Sequence, residues 1–177
     1  YEGEAGYNLA SRNQLAMAYL DGKTPAILAL RGTYTTMKAE AWRLTDKNEM
    51  ERIWVYDSRE YPERKYQGQG SHSTRCADID GDGRDEVLLG SAVIDDDGSP
   101  LWTTGLGHPD YLYVTDAVPE NPGLEVITVL ETRCPNGGGL TVVDAKTGKP
   151  LWQLKEPTNH VHHGFAADLD PRFRGFE

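Results

Sequence analysis

The chain has 177 residues, enough for one domain with a real core, and a formal net charge of −10 at neutral pH. That charge argues against a nucleic-acid or anionic-membrane partner, because phosphate binding needs clustered Lys and Arg. The sequence has no apolar run long enough for a transmembrane helix, so no membrane span is expected.

Nineteen glycines and ten prolines point to many turns, as in an all-β protein with short strands. At the start, Asn8 to Tyr19 suits a short helix and a strand equally. Ala18-Tyr-Leu-Asp-Gly-Lys-Thr-Pro-Ala-Ile27 follows, with Asp21 as a turn residue. Ala39 to Leu44 and Arg52 to Tyr56 read as a hairpin with a longer polar turn. Ala77-Asp-Ile-Asp-Gly-Asp-Gly-Arg-Asp-Glu86 is an acidic loop that runs into the apolar stretch Val87-Leu-Leu-Gly90. Val93 to Trp102 reads as strand, turn, strand, with Asp95-Asp96-Asp97 and Gly98 shaping the turn. The acidic loop returns at Thr115 to Glu125, followed by Val126-Ile-Thr-Val129. Leu140 to Trp152 is another hairpin, and Ala167 to Glu177 carries the loop a third time.

A repeat of roughly 40 to 50 residues, each of about four strands, is the signature of a β-propeller. The expected fold is therefore all-β: a partial propeller of about three four-stranded blades. Residues 1–177 read as part of a single propeller domain, the chain being a piece of a larger protein.

The acidic loops carry the clearest chemistry. Asp78, Asp80 and Asp82 alternate through a tight turn, Gly83 permits the left-handed backbone it needs, and Glu86 closes it. Alternating carboxylates repel unless a cation sits among them, and Ca²⁺ takes six to eight oxygens, so Ca²⁺ is expected here. The third loop keeps Asp168, Asp170 and Glu177 as candidate ligands. The second offers Asp116, Glu120 and Glu125 but has Val118 where the first has Asp80. Cys76 and Cys134 lack CxxC spacing, which speaks against zinc or a redox motif.

His72, Asp110 and His162 stand at one common offset upstream of Asp78, Asp116 and Asp168. Equivalent positions on neighbouring blades face the same end of a propeller, so a shared polar site is expected, with His108, His160 and His163 close by in sequence.

These motifs together resemble the rhamnogalacturonan lyases of polysaccharide lyase family 11. The resemblance rests on Gln67-Gly-Gln-Gly-Ser-His72 running into Ala77-Asp-Ile-Asp-Gly-Asp-Gly83, on Arg31-Gly-Thr-Tyr-Thr35, on Gly105-Leu-Gly-His108, on Pro122-Gly-Leu-Glu-Val126 and on Ala166-Ala-Asp-Leu-Asp-Pro171. It implies an eight-bladed, Ca²⁺-stabilised propeller, of which this chain is a middle portion. It also implies a secreted or cell-surface enzyme that cleaves the pectin backbone, an acidic polysaccharide, by β-elimination. Candidate catalytic residues are then His72, His108 and His163, and candidate substrate-binding residues are Arg31, Tyr34, Asp110 and His162. Family members usually carry Arg at the place of His163, and Arg tends to stand at the place of Thr36. Two readings stay open: a lyase, and a non-catalytic Ca²⁺ propeller that binds carbohydrate or serves cell-surface structure.

Overall fold

The structure is a computed structural model that describes residues 12–176. Twelve strands form three separate four-stranded antiparallel sheets, each ordered as in sequence. The first holds β1 (Asn13–Ala18), β2 (Ala26–Arg31), β3 (Lys38–Leu44) and β4 (Met50–Asp57). The second holds β5 (Gly70–Ala77), β6 (Glu86–Gly90), β7 (Ala92–Ile94) and β8 (Pro100–Thr103). The third holds β9 (Pro109–Thr115), β10 (Glu125–Leu130), β11 (Leu140–Asp144) and β12 (Pro150–Gln153). Two single 3₁₀ turns follow β4, and no α-helix occurs among the described residues. The ambiguous opening segment resolves as β1 from Asn13 on, and its first residues lie outside the described part.

Two cores fill the spaces between sheets. Leu28, Leu30, Tyr56, Val87, Leu89 and Ile94 pack in one, and Leu88, Val93, Trp102, Leu112, Val126 and Val143 in the other. The middle sheet thus sends alternate residues of β6 and β7 to opposite sides. That explains why these strands are wholly buried and read as continuous apolar runs rather than as alternating ones.

A repeated contact locks each sheet to the next. The indole N–H of Trp54 on β4 donates to the Asp96 carbonyl in the β7–β8 turn (2.7 Å), and that of Trp102 on β8 donates to the Ala145 carbonyl in the β11–β12 turn (2.8 Å). Each turn presents a left-handed glycine to the indole ring, Gly98 at φ 86° and Gly148 at φ 68°. A methyl group on Gly148 would sit 2.6 Å from the Trp102 ring. Gly148→Ala therefore combines left-handed strain with a clash, and should cost about 2–4 kcal/mol. Gly105 is also left-handed at φ 70° but has open space where a Cβ would go, so Gly105→Ala isolates the backbone strain. Thermal melts should show a clearly larger fall for Gly148→Ala, and equal falls would deny the docked indole its stabilising role.

The first strands β1, β5 and β9 lie side by side, with β5 in the middle. Gln14 Nε2 donates to the Ser71 carbonyl (2.8 Å), and Ser71 Oγ donates to the Asp110 carbonyl (3.2 Å). This places the starts of β5 and β9 together, where His72, His108 and Asp110 are found.

Candidate functional site

Two of the acidic loops occupy equivalent places, between the first and second strands of their sheets (β5–β6 and β9–β10), whereas the third follows β12 and no strand flanks it among the described residues. In the β5–β6 loop, Asp78 accepts from the backbone N–H groups of Gly81 (2.7 Å) and Gly83 (3.0 Å). Glu86, fully buried, accepts from Ile79 N–H through Oε2 (2.8 Å), while its Oε1 is buried without a hydrogen-bond partner. Donor oxygens of Asp78, Asp80 and Glu86 lie within 4.8 Å of one another. Burial, and then the neighbouring Asp80, Asp95 and Asp82, push the Glu86 carboxyl up to about 7 against the Ile79 hydrogen bond. A buried, unpaired carboxylate oxygen beside two further carboxylates is the environment a hard cation satisfies. Asp82 does not join this group: its Oδ1 accepts from Arg84 N–H (2.8 Å).

The other loops differ. Glu125 is buried and takes both Ala117 N–H (2.7 Å) and Val118 N–H (2.9 Å) on Oε2. Its Oε1 accepts from the Asn121 side-chain amide (2.7 Å), which also reaches Asp144 (3.2 Å). An amide thus stands in this loop where the first loop leaves an oxygen unpaired, and Asp116 and Glu125 belong to no three-donor group among the described residues. Asp168 and Asp170 belong to none either, and Asp170 is paired with Arg172. Glu177 lies outside the described residues. Asp21 caps its own turn by accepting from Lys23 and Thr24 N–H, as its position in sequence implied.

The histidines converge. His72 Nε2 lies 3.2 Å from Asp110 Oδ1, and His162 Nδ1 lies 2.9 Å from Asp110 Oδ2. The three positions of common offset therefore do meet, around a carboxylate only 5% exposed. His108 is buried, with Nε2 2.9 Å from Glu131 Oε2 and 3.4 Å from Asp110 Oδ1. Its Nδ1 contacts the Gly70 carbonyl, which can only accept, so Nδ1 carries a proton, and the tautomer this contact selects has its lone pair on Nε2. That buried Nε2 has no hydrogen-bond partner despite its close carboxylates. Donors that crowd together without pointing at one another fit the shell of a cation. The four ligand atoms from His72, His108, Asp110 and Glu131 all lie within 4.8 Å of one another.

Tyr34 completes this face from the β2–β3 loop. Its hydroxyl donates to Glu131 Oε2 (3.1 Å) and lies 3.3 Å from His72 Nε2. Burial first, then the Glu131 contacts, raise the phenol pKa above its ordinary value, so Tyr34 stays a proton donor. Burial, and then His108, lower the pKa of His72. Glu131 had no motif around it in the sequence; its position, directly after the wholly buried β10, was the one available sign.

Other candidates fall elsewhere. The His163 ring rests against Tyr111, with centroids 4.8 Å apart. Arg31 ends β2 and lines a groove with Asn13, Gln14 and Lys38. Cys76 and Cys134 are free thiols, and burial pushes Cys76 up to about 12, which leaves it unreactive. A cavity of about 800 Å³ opens beside Tyr34, lined also by Arg59, Tyr61, Arg64 and Gln67. Arg59 is fixed there by a 2.7 Å ion pair with Asp57. Burial works to raise the Asp57 carboxyl, but hydrogen bonds from Arg59 and Lys38 hold it well below the usual range.

The family model described as rhamnogalacturonan lyase family 11, C-terminal domain, matches residues 3–177. Rhamnogalacturonan endolyase YesW of Bacillus subtilis (strain 168) is 39% identical over 175 residues, 99% of this chain and 28% of that protein. Rhamnogalacturonan exolyase YesX of the same organism is 39% identical over 173 residues, 98% of this chain and 28% of its own length. The crystal structure of exotype rhamnogalacturonan lyase YesX matches with a TM-score of 0.92 at 38% identity, over 98% of this chain and 28% of that one. The Bacillus licheniformis rhamnogalacturonan lyase PL11 structure matches at 0.90 and 38% identity, over 98% of this chain and 29% of that one. The chain thus spans little more than a quarter of the length of these relatives. With every four-stranded sheet and nearly every residue inside that match, the chain belongs to rhamnogalacturonan lyase family 11.

Proposed function

We propose that this chain is part of a Ca²⁺-stabilised β-propeller lyase, exported to the cell surface or beyond, that cleaves rhamnogalacturonan or a related acidic polysaccharide by β-elimination. The observation that carries the reading is the cluster of His72, His108, Asp110, Glu131 and Tyr34, gathered from separate sheets at the adjoining ends of β5 and β9. Its relatives are named rhamnogalacturonan lyases, one an endolyase and one an exolyase.

Elimination removes the proton at C5 of a galacturonate and expels the sugar oxygen at C4. A divalent cation, when bound among His72, His108, Asp110 and Glu131, supplies Lewis-acid polarisation of the uronate carboxylate and so favours loss of the C5 proton. His108 is fixed for this by its Nδ1–H contact to Gly70, which aims the Nε2 lone pair inward. Tyr34, held by Glu131 at the rim, offers a hydroxyl to a sugar oxygen. The adjacent cavity presents Arg59 and Arg64 with Tyr61, a surface suited to an anionic sugar. At the acidic loop, Asp78, Asp80 and Glu86 would hold the structural Ca²⁺.

The competing reading is a non-catalytic carbohydrate-binding propeller. His163 favours it, standing where lyases of the family usually carry Arg, because Arg clamps a carboxylate with two hydrogen bonds and His offers fewer. Elimination leaves a double bond conjugated to the uronate carboxylate, so turnover registers as new ultraviolet absorbance. Full-length protein given rhamnogalacturonan and a panel of uronate polymers should produce that absorbance, and chelator should abolish it. A folded protein silent on every polymer would reject the lyase reading and leave the binding propeller.

A further inference from the structure

Asp110 and Glu131 each turn one oxygen toward the His72–His108 pair and the other toward a second pair of histidines. Asp110 Oδ1 faces His72 and His108, whereas Oδ2 lies 2.9 Å from His162 Nδ1 and 3.7 Å from His160 Nε2. Glu131 Oε2 faces His108, whereas Oε1 lies 3.8 Å from His160 Nε2. His160 Nε2 is in turn 3.1 Å from His162 Nδ1.

A hydrogen-bonding account of this arrangement requires one His162 Nδ1 proton to be shared between Asp110 Oδ2 and the His160 Nε2 lone pair. A ring nitrogen carries either one proton or one lone pair. If His162 Nδ1 donates to Asp110, it has nothing left with which to accept from His160. If it accepts from His160, it turns a lone pair on a carboxylate oxygen 2.9 Å away. A cation among the three atoms satisfies all of them. Donors held about 2.0–2.1 Å from a tetrahedral metal sit about 3.3–3.4 Å apart, and the observed separations, 2.9, 3.1 and 3.7 Å, bracket that spacing.

We propose that Asp110, His160 and His162 form a second metal site, for a first-row transition-metal dication, joined to the His72–His108 site by the shared carboxylate of Asp110. Two imidazoles in three donors select such a metal over Ca²⁺, which takes oxygen ligands. Three protein ligands leave positions open, the pattern of a site that takes up a further group. The His160 and His162 side chains are 38% and 67% exposed, so the ion is open to exchange and to a ligand from solution. Carboxylate-bridged ions of this kind stand about 3.5–4 Å apart and clamp one anionic group between them. On the lyase reading above, that group is the uronate carboxylate; the site itself rests on donor geometry alone and stands without that reading.

The test counts metal. Full-length protein is stripped with chelator, returned to Ca²⁺ to fill the acidic loop, then titrated with Co²⁺ and assayed by equilibrium dialysis and ligand-field absorption. The wild type should bind two equivalents outside the Ca²⁺ loops. His160→Gln with His162→Gln, at exposed positions that leave the cores intact, should remove one equivalent and keep the other. His72→Gln with His108→Gln should leave the His160–His162 equivalent in place. Retention of both equivalents by the His160/His162 variant would overturn the proposal, as would a wild type that binds only one. Loss of polymer cleavage with two equivalents still bound would count against the lyase reading and not against this site.

Discussion

Glu86→Gln will lower the melting temperature in Ca²⁺ and will leave it unchanged, or raise it, in chelator. Gln keeps the shape of Glu and a carbonyl oxygen for Ile79 N–H, so the loop clamp survives. What it removes is the charge, and charge has opposite consequences in the two conditions. With no cation present, a fully buried carboxylate with one unpaired oxygen is costly, and burial pushes it toward the neutral form. A neutral amide avoids that cost. If Ca²⁺ binds beside Asp78 and Asp80 as proposed, the same oxygen would become a ligand, and the amide would be the poorer one. A cation at a hundredfold excess over its Kd stabilises the folded form by about 2.7 kcal/mol. For a chain of this length that corresponds to about 5–11 °C in melting temperature. The measurement is a set of four melts, wild type and variant, each with Ca²⁺ and with chelator. An equal shift in both conditions would show that Glu86 is a structural clamp with no cation behind it.

The same loop marks where sequence reading reached its limit. The run Val87-Leu-Leu, framed by an acid and a glycine, was legible as a buried strand because β6 sends alternate side chains into two cores. The hairpins were legible from their turns, since Gly98 and Gly148 occupy left-handed backbone. The common offset of His72, Asp110 and His162 was legible too: His72 and Asp110 meet because β5 and β9 are neighbours in space, and His162 reaches Asp110 from the segment after β12. Which side chains partner which carries no such local sign. Glu125 sits in the second loop as Glu86 does in the first, yet Asn121 reaches over from four residues away to fill its free oxygen. Asp82 completes the alternation of carboxylates in sequence but spends its oxygen on Arg84 N–H. Tyr34 and Glu131 are 97 residues apart and meet only because two sheets bring a loop and a strand end together. The reach of the tryptophans on β4 and β8 to the next sheet's turn depends on how the sheets stack, and no local pattern in the sequence marks it.

On the lyase reading, His108→Ala in the complete protein should cut the rate of elimination at least about a hundredfold, the low end for loss of a group that acts at the reacting centre. His108 is chosen because its two nitrogens have separate duties. Nδ1 is committed to the Gly70 carbonyl and sets the ring's orientation, whereas Nε2 faces Glu131 and Asp110 and makes no hydrogen bond. Ala removes both duties and leaves a cavity in a buried place, so part of the loss could be structural. His108→Gln separates them, since its amide can still donate toward Gly70 but offers the cation a neutral carbonyl oxygen in place of the imidazole nitrogen. If Nε2 serves a cation, Gln should fold like the wild type and remain as inactive as Ala. Glu131→Gln should act in the same direction, because it removes one carboxylate from the shell while keeping an acceptor for Tyr34. The readouts are the initial rate of ultraviolet absorbance gain and the metal content of each purified variant. Activity within tenfold of wild type in His108→Gln, with the melt unchanged, would make His108 a packing residue and move the chemistry away from this cluster. Loss of activity with full metal content would instead place His108 against the substrate rather than in the cation's shell.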